Sequence, residues 1–160
     1  MSSPGTPASR APRKFLVVID KTPESAVALR FAPRRAQHTG GRVLLMCAAQ
    51  PPDFQQWRGV EEIMKDEAHA DAEEMIYAAA KLVNDLSGLL PELVIPYGTV
   101  TDCLTKLIKE DQNISILVLA SGAGKDGPGP LVSMFGTAVQ LIPVTIVPGN
   151  FTDGQVDALA

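Results

Sequence analysis

The feature that most constrains this chain is a set of short segments that are apolar almost without interruption, separated by stretches long enough to be helices. Phe15 to Asp20 (FLVVID), Arg42 to Ala49 (RVLLMCAA) and Ile114 to Ala120 (ISILVLA) lack the in-and-out alternation of a half-solvated strand. Strands of this kind must be covered on both faces, which is the condition of a parallel sheet sandwiched by helices. Two weaker segments, Leu93 to Tyr97 and Val144 to Val147, the latter held between Pro143 and Pro148, complete the series.

Helical signals fill the intervals. Thr22 precedes a proline suited to a first helical position, and Glu24 adds a first-turn acid, so a helix is expected from Thr22. Val27, Leu29, Phe31 and Ala36 carry it to about His38, where Gly40-Gly41 can stop it; Pro33 predicts a kink near Leu29 to Pro33. From about Gln55 to Ser87 the apolar residues Val60, Ile63, Met64, Met75, Ile76, Ala79, Leu82, Val83 and Leu86 recur at helical steps. Its opposite face is acidic, with Glu61, Glu62, Asp66, Glu67, Asp71, Glu73 and Glu74. Shorter helices are expected over Thr101 to Glu110 and Val132 to Leu141. The order β-α-β-α-β-α-β-α-β predicts an α/β fold with a five-stranded parallel sheet, helices on both faces and right-handed crossovers. Ligands of such sheets bind outside the carboxyl ends of the strands, so the loops after Asp20, Ala49, Gly98 and Ala120 are where function is sought.

A chain of 160 residues builds one core, expected over residues 14–148. Residues 1–13, with three prolines and no apolar run, read as a disordered tail and not as a secretory signal. In residues 149–160, Thr152-Asp153 can cap a turn or two of helix carrying Val156 and Leu159, ordered where Phe151 or Leu159 packs. A formal net charge of -4 disfavours nucleic acid as a partner, and the longest apolar runs fall far short of a membrane span. Cys47 and Cys103 show no CxxC spacing and suit a reducing compartment, the cytosol.

The segment Ser121-Gly122-Ala123-Gly124-Lys125-Asp126-Gly127-Pro128-Gly129-Pro130 follows the most apolar strand. Its glycines leave backbone N–H groups open to an approaching anion, and they equally suit a surface turn. Gly122, Gly124 and Gly127 match a dinucleotide spacing, but the partner acid about twenty residues on is missing and prolines follow at once. A Walker A reading fails, since Asp126 stands where Ser or Thr is needed and Leu119 where the first glycine is needed. Catalytic sets are also absent from the letters. His38 has no expected nucleophile beside it, His69 with Glu73 has the spacing of a metal pair but no third ligand, and Ser121, Ser133 and Thr137 lack an elbow motif. Phe54 and Trp57 are expected to cover the sheet edge, with an exposed lid as the alternative.

Four stretches carry a resemblance: Lys14 to Asp20 with Thr22-Pro23-Glu24-Ser25, Tyr97-Gly98, Leu117 to Ala120 running into the glycine loop, and Pro143 to Val147. In these the chain resembles the universal stress protein family over about Lys14 to Pro148. The resemblance implies a Rossmann-like, adenine-nucleotide alpha-hydrolase-like domain that pairs into homodimers through its last strand, here Val144, Thr145, Ile146 and Val147. It also implies ATP, or ADP or AMP, as a regulatory ligand with at most slow hydrolysis; an unidentified protein partner is equally in keeping with it. Asp20 would then meet the ribose or, through water, a phosphate-bound magnesium ion, although an acid capping the next helix explains it too. Thr22 would stand beside it. The adenine would lie against Cys47 and Ala48, and Ser121, Gly122, Gly124, Lys125, Gly127, Gly129, Gly136 and Thr137 would surround the phosphates. The family's loop pattern is G-x2-G-x9-G-[S/T], whereas here only eight residues separate Gly127 from Gly136, and Pro128 and Pro130 remove two N–H donors. Members without the pattern bind no nucleotide, and an adenylating enzyme would need an SGG loop after the first strand, where this chain has Asp20-Lys21-Thr22-Pro23.

Overall fold

Strand β1 (Lys14–Val18) lies between β2 (Arg42–Met46) and β4 (Ile114–Ser121), with β3 (Glu92–Val94) and β5 (Val144–Pro148) at the two edges. All pairings are parallel, in the order β3-β2-β1-β4-β5. The computed structural model describes residues 12–50, 61–122, 129, 131–132 and 142–160. Helices α1 (Ser25–Thr39) and α2 (Glu61–Ser87) cover one face, α3 (Val100–Glu110) covers the other, and α4 (Asp153–Leu159) packs on α1.

The uninterrupted apolar runs follow from this layering. Phe15, Val17 and Ile19 point into the core under α1 and α2, while Leu16 and Val18 point into the core under α3. Along β4 the alternation is kept by an irregularity. Lys14 pairs with Ile114 but Phe15 with Ile116, so Ser115 is an extra residue that returns Ile114 to the α3 side with Leu117 and Leu119.

Several boundaries differ from expectation. β1 ends at Val18, although the Ile19 amide still donates to Met46 O across 2.8 Å. β2 stops at Met46, three residues short of Ala49, and β3 spans Glu92–Val94 instead of Leu93 to Tyr97. Pro96 has no amide to extend the ladder, so the two strands rejoin only at an isolated Ala49–Tyr97 bridge. α1 begins at Ser25, not at Thr22. The Thr22 hydroxyl donates to Asp20 instead of accepting from the helix, and Glu24 occupies the cap position without a side-chain bond. α1 then runs through the buried Pro33 as one helix to Thr39, closed by Gly40 in the left-handed region at φ 73°.

In α4, Thr152 and Gln155 form a reciprocal cap: the Gln155 amide donates to Thr152 Oγ1 at 3.2 Å and the Thr152 amide to Gln155 Oε1 at 2.9 Å. Phe151 packs on the α1/α2 core. Leu159 does not pack, being 59% exposed, and Val156 is the buried anchor in its place. The expected N-terminal tail except Pro12 and Arg13, the start of the long helix with Phe54 and Trp57, and the short helix beyond Val132 lie outside the described residues; Leu131 and Val132 themselves are helical.

Candidate functional site

The carboxyl ends of β1 and β4 lie side by side where the crossover direction reverses, since the chain runs from β1 toward β2 on one side and β4 lies on the other. Leaving β1, the chain turns on Asp20, whose Oδ1 accepts from the Thr22 amide at 2.9 Å and from the Thr22 hydroxyl. The amides of Ser25, Ala26 and Val27 then donate to the carbonyls of Thr22, Pro23 and Glu24. The amides of the first three residues of this helix are therefore satisfied, and the charges it turns to the cavity are the two half-buried acids Asp20 and Glu24, with Lys21 exposed beside them.

From the other side, β4 delivers Ala120 and Ser121, with Gly122 next. Gly129 returns over the strand ends with φ 101°, which a side chain would strain, and is followed by Leu131 and Val132. Asp20, Thr22, Glu24, Ser25, Gly129 and Leu131 are among the residues enclosing a cavity of about 70 Å³ floored by the ends of β1 and β4. That is room for roughly two waters, against the ~300–1,000 Å³ of a small-molecule site. Bounded by described residues alone, the cavity admits one group of a ligand and not a whole nucleotide.

Asp20, Thr22 and Gly129 thus meet at this cavity, and Ser121 with Gly122 continues the strand that floors it. Cys47 does not present its side chain there. The thiol is 4% exposed in the α1/α2 core, its amide donates to Val94 O at 3.1 Å, and burial, reinforced by the charge of Asp20, pushes its pKa up. Only backbone groups could serve a ligand at this position; Ala48 is the half-exposed neighbour. Gly124, Lys125, Gly127, Gly136 and Thr137 lie outside the described residues.

Three contributors escape a reading of the letters. Glu24 and Ser25 look like ordinary first-turn residues, yet both line the cavity. Gly149 follows the proline that ends β5, and its amide donates to Ser121 O across 3.0 Å. A Cβ on Gly149 would collide with that carbonyl and lie 2.9 Å from the Glu24 Cβ. The only signal for it was a glycine directly after a strand-ending proline.

Among the described residues no group of three or more His, Cys, Asp or Glu side chains is arranged to hold a metal ion, and no helix is long and apolar enough to cross a membrane. His69 pairs with Glu73 at 3.1 Å on α2, and His38 Nδ1 lies 2.8 Å from Ala160 O; neither lines the cavity.

Residues 12–133 match the model of the universal stress protein family. No curated protein matches the chain. Among solved structures, the universal stress protein UspA from Lactobacillus plantarum superposes with a TM-score of 0.71 at 16% identity, covering 84% of this chain and 97% of that one. The universal stress protein from Archaeoglobus fulgidus in complex with dAMP gives 0.59 at 18% identity, over 86% and 98% of the two chains. A universal stress protein family member from Arabidopsis thaliana with AMP bound gives 0.55 at 16% identity, over 86% and 92%.

Proposed function

The chain belongs to the universal stress protein family, and we propose that it binds an adenine nucleotide at the carboxyl ends of β1 and β4 as a regulatory ligand. The observation that carries this reading is the meeting of Asp20 and Thr22 with Ala120 and Gly129 around one cavity at the point where the crossovers reverse. It is supported by the dAMP and AMP held by the Archaeoglobus and Arabidopsis proteins of the same fold.

Electrostatics gives the ligand a direction. The start of α1 lines the cavity with two carboxylates, Asp20 and Glu24, and the amides of Ser25, Ala26 and Val27 are already bonded, so this wall disfavours phosphate and suits ribose hydroxyls, or a hydrated magnesium ion brought in with the nucleotide. Phosphates then belong on the β4 side, against the backbone of Ser121, Gly122 and Gly129, with Gly124, Lys125, Gly127, Gly136 and Thr137 assigned there by the family resemblance. The adenine would use backbone groups near Cys47 and Ala48. In this reading the protein works in the cytosol as a homodimer joined through β5, in response to stress.

Calorimetric titration with AMP and with ATP, with and without magnesium, is the test. Binding in the micromolar range is expected, lost in Gly127→Val without change in the thermal melt and weakened in Asp20→Ala chiefly when magnesium is present. The one-residue shortening between Gly127 and Gly136 favours the rival reading, a module of the same fold acting through protein contacts alone. No heat with millimolar nucleotide, and none carried through purification, would leave that rival standing.

A further inference from the structure

We propose that residues 149–160 form a strap whose seating on α1 holds the rim of the ligand site, so that ligand occupancy and strap docking are coupled. The ligand half of this statement rests on the nucleotide reading above; the mechanical half does not.

Three basic residues of α1, Arg30, Arg34 and His38, recur at four-residue steps and so stack along one stripe of the helix. The strap answers each of them. Arg30 Nε and Nη2 donate to the two Asp157 oxygens at 2.8 and 2.7 Å, a bidentate pair in which the guanidinium holds the carboxyl below its ordinary range. Arg34 Nε lies 3.1 Å from Asp157 Oδ1, an ion pair whose angle falls short of a hydrogen bond, and Asp153 adds a longer contact to Arg30 at 3.6 Å. His38 Nδ1 meets Ala160 O at 2.8 Å. Beneath these contacts Val156 is 1% exposed.

The other end of the strap lies on the site. Gly149 donates to Ser121 O and sits so close to Glu24 that no side chain fits between them. Ser121 is where β4 passes into the glycine-rich loop, and Glu24 lines the cavity. α1 therefore carries the site at its first turn and the strap on its flank, while Gly149 joins the strap to both walls. A strap held in place fixes the spacing between the start of α1 and the end of β4. A ligand that bridges those walls must in return favour the seated strap, because coupling of two binding equilibria is reciprocal. Gly149 and Asp157 are in this sense positioning residues.

Hydrogen exchange of the full chain, with and without AMP, tests the proposal in Asp157→Arg, which sets a cation against Arg30 and Arg34. The expected result is faster exchange in residues 152–160 accompanied by faster exchange at Thr22 to Val27 and at Ser121 and Gly122, with AMP affinity lowered about tenfold, roughly 1.4 kcal/mol. Adding Arg30→Asp restores both in part, which a merely local defect would not show. Gly149→Ala opens the same seam by sterics and gives the same rim signature, so an Asp157→Arg protein that failed to fold would not remove the test. Exchange that rises in the strap alone while the rim and the AMP affinity stay as in the wild type overturns the proposal, as does a strap unmoved by either substitution. If the wild-type protein takes no AMP, the nucleotide reading falls by itself and the rim exchange still decides the mechanical claim.

Discussion

Lys14, the first residue of β1, donates from Nζ to Asp111 Oδ2 across 2.7 Å, although 97 positions separate them. The same ammonium lies 2.8 Å from Glu92 Oε2, so one half-buried cation pins the amino end of the central strand to the edge strand β3 and to the end of α3. Burial alone would lower the Lys14 pKa, but the hydrogen bonds to Asp111 and Glu92 raise it above 10.5. Burial would raise Asp111, and the bond from Lys14 instead holds it below 3.8. Asp111 thus adds stability that is present above its unfolded pKa and is lost as pH falls through the folded one, while Lys14 adds stability that is lost as pH rises through its folded pKa. Lys14→Met should cost about 1–3 kcal/mol near neutrality. In denaturant titrations the deficit should be level between about pH 5 and 10 and shrink on both sides; a deficit independent of pH would contradict the ion-pair account.

Cys47 and Cys103 are both free and buried, and burial is the first cause of the upward shift of each thiol. A disulfide-exchange reagent at pH 8 should therefore leave the folded protein unlabelled and report two thiols after denaturation. Rapid labelling of Cys47 in the native state would mean that the core beside Asp20 opens.

Gly41 and Gly154 should respond oppositely to alanine. A Cβ at Gly41 would meet Phe15 Cε2 at 2.7 Å and Arg13 O at 3.0 Å, so Gly41→Ala should lose about 1–3 kcal/mol. At Gly154, inside α4, the nearest atom is Thr152 Oγ1 at 4.0 Å, and Gly154→Ala should gain about 0.5–1 kcal/mol. Paired thermal melts measure both.

The edge position of β5 and the 46% exposure of Ile146 bear on the proposed homodimer. A charge at that edge disfavours strand addition. Ile146→Asp should convert a dimer to a monomer in sedimentation at micromolar concentration while leaving the circular dichroism spectrum unchanged, and a wild-type monomer would rule the pairing out.

The sheet was legible because its evidence is local and repeated. Phe15 to Ile19, Val43 to Ala49 and Ile116 to Ala120 are apolar on both faces, and only a covered parallel sheet tolerates that. Boundaries were less legible where two local preferences compete. Thr22 is as good a helix cap as the alphabet offers, yet the carboxylate two residues before it captures both its amide and its hydroxyl, and the helix starts later. Asp20 could be singled out from its place at a strand end. Gly149 could not, because its role exists only once β5 lies beside β4 and brings a backbone within reach of Ser121 and Glu24. The packing of Val156 in place of Leu159 was hidden for a similar reason, since which face of a two-turn helix is buried depends on the partner it meets.

The strand order has a kinetic side. β1, β2 and β3 come from one continuous stretch of chain and β4 with β5 from another, so each half of the sheet assembles from neighbours in sequence, while the seam between Lys14 and Ile114 must close a loop of about a hundred residues. That seam is the longest-range strand pairing in the sheet. Asp20 sits on one lip of it and Ser121 on the other, so the site exists only once this pairing is made, and a ligand that bridges the two lips would read out the joined sheet and ignore either half alone.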